Sequence, residues 1–360
     1  MKVMDFLDII ERLAPADLAL DWDNPGLQVG DASAEVAKAA LALDPTSENI
    51  QKALDLDCQL LITHHPLIFK PLKKISLQDP LAAPVLLAAS RGLSVVSAHT
   101  NWDAAGVALE LAGLLGLADV RPLEAQARTF LKLVVFVPPS HAETVRRTVF
   151  ETGAGVVGGY GRCWFQSPGR GGFKVPAGAA PFSGKPGEEH ETAEERLEII
   201  LPPGLREGVA RAVAASHPYE EPAYEFHEIR TTGAGFGVLG DWDPPRRCER
   251  ILQDVLGPLG LFAGPDPGAV SRVALLPGSG GDYVLDAKRA GAQLYVTGEL
   301  GHHQALLAGE IGLAVYAGGH FETERPSMTR LERELRREAA QCEAPAQILL
   351  LEESPPFYRP

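Results

Sequence analysis

A chain of 360 residues is long for one compact core, so two or three domains are expected. Hydrophobic residues at 45% and charged residues at 22% fit a folded globular protein and exclude a disordered one. A net charge of −14 argues against a surface built for nucleic-acid phosphates, although a phosphorylated small molecule stays compatible if metal ions supply positive charge locally.

The first residues, Met1–Asp8, carry Asp5 and Asp8 where a signal peptide needs a basic and then an apolar run. Val3, Phe6, Leu7, Ile10 and Leu13 form a helical stripe that ends before Pro15. Ala40–Leu43 reads as a strand, Ser47–Leu56 as a helix, Leu60–Thr63 as a second strand, Leu81–Arg91 as a helix and Leu93–Ala98 as a third strand. Such alternation implies a parallel sheet with crossover helices. No uncharged stretch reaches membrane-spanning length, and Leu81–Ser90 comes nearest. The expected setting is a soluble cytoplasmic protein with no membrane and no nucleic-acid partner. Cys58, Cys163, Cys248 and Cys342 are far apart with no CxxC pair, as isolated thiols would be.

The middle of the chain differs in character. Thr129–Pro138 is strand-like, His141–Phe150 helical, Gly153–Gly172 dense in glycine, Arg196–Leu201 alternating and Leu205–Ser216 helical. A β-α-β-β-α-β rhythm of this kind suits a ferredoxin-like α+β insert at residues 126–231, with Pro176–Pro186 an exposed loop. An insert leaves and returns near one point, so Arg121–Arg128 and Thr231–Gly235 are expected side by side. The run His217–Glu221 reads as structural or as a subunit contact rather than as a further metal site, because Pro218 disfavours a helical i, i+4 pair there.

After the insert the first plan repeats. Gln59–Thr63 aligns with Gln293–Thr297 at an offset of 234, and Ala40-Leu41 falls on Ala274-Leu275 without a gap. Gly92–Val96 resembles Gly312–Tyr316, and each is followed by a histidine with an acid four residues later: His99 with Asp103, His320 with Glu324. The fold class expected is therefore α/β, with two related halves (1–125 and 232–360) of mainly parallel sheet around a dinuclear metal site, interrupted by the insert.

His64-His65-Pro66 stands at the carboxyl end of a strand, the edge where open α/β sheets bind ligands. A turn enforced by Pro66 can converge both imidazoles on one cluster, whereas the plainer reading is a pair of turn histidines. Asp103 is a candidate ligand, and His99 either a ligand, a helix cap or an outer support. His320 and Glu324 share a helix face, and the Glu324 carboxylate can bridge two metals. Three histidines and two carboxylates exceed a closed tetrahedral zinc and suit two divalent ions (zinc, iron or manganese), each with room for water. His302-His303 opens a helix, and His303 is open to three readings: outer support, substrate contact or plain helix start. Gly278–Gly281 is a phosphate cradle or a geometric turn. There is no GxSxG, Walker lysine motif or complete GxGxxG, so metal-activated water is the simplest chemistry, with Glu324 in the catalytic role of metal bridge.

With these residues in view, the sequence resembles the GTP cyclohydrolase I type 2 family. The segments that carry the resemblance are Asp21–Gly30, Ile62–Pro66, His99–Asp103, Val296–Glu299 and Gly319–Glu324, spread over nearly all of both halves. Gly153–Gly172 and His217–Tyr224 are similar to the CutA-like, or nitrogen-regulatory-protein-like, insert of longer bacterial members. The resemblance implies a dinuclear site on His64, His65, Asp103, His320 and Glu324, and a ring-shaped homohexamer. It also implies a metal-dependent hydrolase with a small phosphorylated or heterocyclic substrate, GTP being the suggested nucleotide. The alternative is a non-catalytic metal-binding regulatory protein whose insert senses a metabolite or partner. Trp102 departs from the aliphatic residue expected there. Lys70, Lys73 and Lys74 fit a triphosphate contact or a solvated basic turn.

Overall fold

The computed structural model describes residues 1–357 except 158–159, 177, 179–181 and 343, with only the backbone described at 124–128 and 230–234. Contacts divide the chain into two compact units, residues 1–126 with 234–360, and residues 127–233.

The first sheet of the larger unit has five strands in the order Gly26–Val29, Ser94–Ser97, Leu60–Thr63, Lys38–Ala42, Gln347–Leu350, the last contributed by the second half of the chain. Only the first pair is antiparallel. The crossover helices Ser47–Asp55 and Ala83–Ser90 cover one face, and the Thr46 hydroxyl caps the first by accepting from the Asn49 N–H at 3.1 Å. Ala40, Ala42, Leu61 and Val95 pack toward Ile50, Ala53 and Ala88 on those helices. Ala39, Leu41, Leu60, Ile62 and Val96 pack on the other face against Phe6 and Ile10 of the helix Val3–Leu13, and against Met328, Leu331 and Leu335 of the helix His320–Ala339. Burial on both faces explains why these strands are continuous apolar runs.

The second half has the same layout. Leu261–Ala263 runs antiparallel to Ala314–Ala317, which is parallel to Leu294–Thr297, itself parallel to Ala269–Leu276. The register repeats too: Ala40 lies opposite Leu61, and Ala274 opposite Tyr295. Val95 and Val315 then hold matching places, which aligns His99 with Gly319 and leaves His320 one residue further on.

In the insert, strands from Phe165–Lys174, Glu189–Leu201, Ala118–Val137 and Tyr224–Arg247 lie in that order. The helices Ala142–Phe150 and Arg206–Ser216 cover one face, burying Leu133, Val135, Val137, Leu197, Ile199 and Leu201 against Val145, Val149, Val209 and Val213. This is the ferredoxin-like arrangement. The strands Ala118–Val137 and Tyr224–Arg247 are much longer than their sequence signals, because Pro122 and Pro244-Pro245 interrupt the alternation. They are neighbours in the sheet, and in the insert the Phe136 N–H donates to the Ala223 carbonyl at 3.1 Å. In the loop at 176–186, residues 177 and 179–181 lie outside the described residues, as do the side chains at 124–128 and 230–234 of the two junctions.

Trp102 is buried in the core between the first sheet and the helix His320–Ala339. Space for its ring comes from Gly106, where an added Cβ would stand 2.5 Å from a ring carbon. Gly106→Ala is therefore expected to destabilise the protein by about 1–3 kcal/mol. In a Trp102→Leu background the same change should cost less than half as much, measured as urea unfolding in a double-mutant cycle; additive effects would show that the ring and the glycine are not coupled.

Candidate metal centre

The strand Leu60–Thr63 ends on His64, whose side chain is fully buried. His64 Nδ1–H donates to the Ala98 carbonyl at 2.9 Å, and His65 Nδ1–H donates to Asp44 Oδ1 at 2.8 Å. His99 Nδ1–H donates to Asp23 Oδ1 at 2.7 Å, and His320 Nδ1–H to Glu299 Oε1 at 3.0 Å. Carbonyl and ionised carboxylate oxygens only accept, so in all four rings Nδ1 carries a proton and Nε2 is the nitrogen left to face the cluster. Histidines held this way are oriented as metal-ligating imidazoles are.

Glu324 enters from the helix His320–Ala339, one turn after His320. Its Oε2 lies 3.0 Å from His320 Nε2, 3.1 Å from His65 Nε2 and 3.8 Å from His64 Nε2. The side chain is 4% exposed. Gly278, at φ +65°, leaves the space that Glu324 occupies, since a Cβ there would collide with its Oε1. Asp103 Oδ1 lies 3.5 Å from His64 Nε2. His64 Nε2 is buried with no hydrogen-bond partner, and Glu324 Oε2 meets only ring nitrogens that have no proton to give while each ring carries one on Nδ1, a costly state unless a cation or further protons meet these atoms.

Without a cation, protons serve instead. Burial opposes charge on His65, yet Asp44 and Glu324 overcome it and lift its pKa to about 10. Burial likewise opposes charge on His320, and Glu324 with Glu299 raises it to about 9. Glu324 is held well below the usual carboxylate range: burial acts against its charge, but His64, His320 and His65 prevail. Burial pushes Asp103 up to about 7, with His64 pulling it down and the Glu324 charge adding to the rise.

Among the described residues, three groups of side chains have ligand atoms within 4.8 Å of one another and so could hold a metal ion: His65, His320 and Glu324; His64, Asp103 and Glu324; His64, His65 and His99. The structure thus brings together His64, His65, Asp103, His320 and Glu324, and places His99 among them as a ring that can ligate. His303 is not brought in. It lies exposed beside His302 on the first turn of the helix His302–Glu310, outside all three groups. Lys70, Lys73 and Lys74 are exposed in the loop that follows His65.

Gly278–Gly281 is a geometric turn. The Gly278 N–H donates to Thr323 Oγ1 and the Gly280 N–H to Thr297 Oγ1, both at 3.1 Å, so these donors are already used. His217 is structural within the insert: its Nε2–H donates to the Phe136 carbonyl at 2.9 Å, and burial lowers its pKa.

Four acids that support the site were given no role in the sequence reading, although Asp23 and Glu299 lie within segments that carry the family resemblance. Asp23, Asp44 and Glu299 each fix one histidine. Glu353 accepts from the Leu43 and Asp44 N–H groups at 2.7 and 3.1 Å and pairs with Arg325 at 3.2 Å, tying the C-terminal segment to the Asp44 turn. Asp44 follows a strand at the same sheet edge as His64, the one signal that could have found it.

A family model described as Duf34/NIF3 (NGG1p interacting factor 3) matches residues 1–356. The chain belongs to this family. It is 36% identical over 324 residues to a Bacillus subtilis protein named GTP cyclohydrolase 1 type 2 homolog, covering 88% of this chain and 87% of that protein. The Halalkalibacterium halodurans protein of the same name is 34% identical, covering 87% of each. Among solved structures, a Bacillus cereus protein related to NIF3 superposes with a TM-score of 0.80 at 31% identity, covering 100% of this chain and 99% of that one. The mixed α/β fold is thus the fold of NIF3-related proteins.

Asp23 supplies a test of how the site is held. It accepts from His99 and from the Thr100 N–H (2.9 Å) and hydroxyl. Burial works against its charge, yet these bonds hold the carboxyl well below the usual range. A folded pKa below the unfolded value of about 3.9 means the stabilisation is full above that pH and is lost as pH falls through the folded value. Asp23→Asn should cost about 1–3 kcal/mol at pH 7 and progressively less below pH 4, read by denaturant unfolding of the metal-free protein. A loss independent of pH would remove the carboxylate charge from the account.

Proposed function

We propose that this protein is a dinuclear metal-dependent hydrolase acting on a small phosphorylated or heterocyclic substrate, with GTP the first candidate. The observation that carries the reading is that Glu324 belongs to two ligand groups at once, one with His65 and His320 and one with His64 and Asp103. A carboxylate with two oxygens is suited to span two ions. The donors are nitrogen and oxygen only, which fits zinc, iron or manganese. Bound divalent ions would supply Lewis acidity and a water acidic enough to serve as nucleophile at neutral pH.

The chain's own residues do the rest. Glu324 stays anionic and ties the two sets together. Asp44, Glu299, Asp23 and the Ala98 carbonyl fix the imidazoles so that no ring need reorient on binding. The names of the relatives support GTP as candidate, and the exposed lysines 70, 73 and 74 give a phosphate chain a place to lie. Assembly as a homohexamer belongs to this reading and is open to light scattering.

Metal content is the first test. About two divalent ions per chain are expected, and His64→Ala with His65→Ala should lose most of them by elemental analysis; a double variant as loaded as the parent would remove the site. Metal-loaded protein incubated with GTP should release formate and a pterin-type product, and Glu324→Gln should abolish turnover. If GTP is never consumed, the non-catalytic regulatory reading replaces this one.

The reading also makes the insert dispensable for metal. Residues 126–231 contribute none of the five ligands, so replacing them with a short Gly/Ser linker should leave a folded protein that binds metal as before. A soluble, folded deletion without metal would give the insert a part in the site.

A further inference from the structure

The insert has a cavity of about 960 Å3 on the sheet face opposite its two helices. Phe136, Glu194 and Arg196 line it, alternating along their strands with Val135, Val137 and Leu197, which face the helices. Two glycines of the edge strand, Gly169 and Gly171, keep its floor open, and a Cβ at Gly171 would collide with the Glu194 carboxylate. Tyr219 stands between Phe173 and Phe182, with ring centroids at 6.2 and 6.1 Å. The Tyr219 hydroxyl donates to Glu194 Oε1 at 2.9 Å, which joins the aromatic wall to an anion.

The charge of the lining follows from its ion pairs. Arg170 is met by Glu191 at 3.2 Å, and Arg196 shares Glu198 with Lys132, at 3.0 and 2.9 Å, so these two lining arginines are outnumbered by the carboxylates that follow. Glu194, Glu220 and Glu221 also line the cavity, and among the described residues no cation pairs with them. Aromatic faces beside uncompensated carboxylates attract a weakly hydrated organic cation, since each ring face is the negative end of its quadrupole. A volume of this size holds a metabolite rather than a bare ion. We propose that this cavity binds a small alkylated-ammonium ligand, its charged head set among Phe173, Phe182, Tyr219 and Glu194. The inference is independent of the hydrolase reading, because every residue in it lies within the insert.

Choline and its neutral isostere 3,3-dimethylbutan-1-ol separate charge from shape. Titrated into the full-length protein at matched ionic strength and followed by calorimetry and ligand-observed NMR, choline should bind saturably at one site per chain. The neutral isostere should bind at least tenfold more weakly. Glu194→Gln should weaken choline at least tenfold, and so should Phe182→Ala, whose exposed ring (51%) makes it the variant least able to disturb folding. Choline binding should survive the His64→Ala, His65→Ala double change. Absence of saturable choline binding, equal affinity for the neutral isostere, or parental affinity in Phe182→Ala would each overturn the proposal. So would saturable inorganic phosphate binding that choline fails to displace and that Phe182→Ala leaves intact, in place of the cation.

Discussion

The structure depends most on one buried anion, the carboxylate of Glu324. A charge held out of water is tolerated only when opposite charge or strong donors meet it. Here that partner comes from the far side of the unit, because His64 and His65 belong to the first half and Glu324 to the second. The site is therefore also a clamp between the halves, and whatever cation occupies it bears on folding as well as on chemistry. Protons on His65 and His320 balance the charge when nothing else does, which makes cation binding an exchange rather than a simple addition.

Around that anion the backbone has been cleared. Gly278 sits at positive φ, and its missing Cβ is the space Glu324 needs; Gly319, at φ +99°, turns the chain into the helix that carries both His320 and Glu324. These positions are conformational requirements as well as steric ones, since an L side chain is strained at either angle. A glycine-rich turn after a strand resembles a phosphate loop in sequence, but here its N–H groups are spent on Thr323 and Thr297.

The histidines of the candidate site were legible in the sequence because each follows a strand that reads clearly: Leu60–Thr63 leads to His64-His65, Ser94–Ser97 to His99, and Ala314–Ala317 to His320. A carboxyl-edge position plus an i, i+4 spacing is local information. The edge strands Gly26–Val29, Leu261–Ala263 and Gln347–Leu350 were not legible, since each is paired on one side only and stays partly exposed, without the fully buried apolar character that marks the equally short central strands. The supporting acids were hidden for a different reason. Asp23 is 76 residues from His99 and Glu299 is 21 from His320, so nothing local marks either as a histidine's partner. For His303 the sequence left outer support, substrate contact and plain helix start open; the two histidines do open a helix, and it presents them to solvent.

The repeat explains why there is one combined site rather than two equivalent ones. At the 234-residue offset, His64 falls on Gly298, where a Cβ would stand 2.6 Å from the Gly278 carbonyl and 2.7 Å from Thr323 Oγ1, so no counterpart of His64 fits. His65 falls on Glu299, which no longer faces the cluster as a ligand in the three metal-capable groups but holds His320 by Nδ1. Asp44, which performs that holding role for His65, falls on Gly278, whose lost side chain admits Glu324. The exchanges turn a candidate ligand of one half into a space or a support in the other, and a support into a space. The one-residue displacement of His320 relative to His99 completes the change: it puts the histidine inside the helix rather than at its cap, so that Glu324 lies one turn on, on the same face. Two similar folds thus contribute unlike parts, and the shared carboxylate can form only where those parts meet.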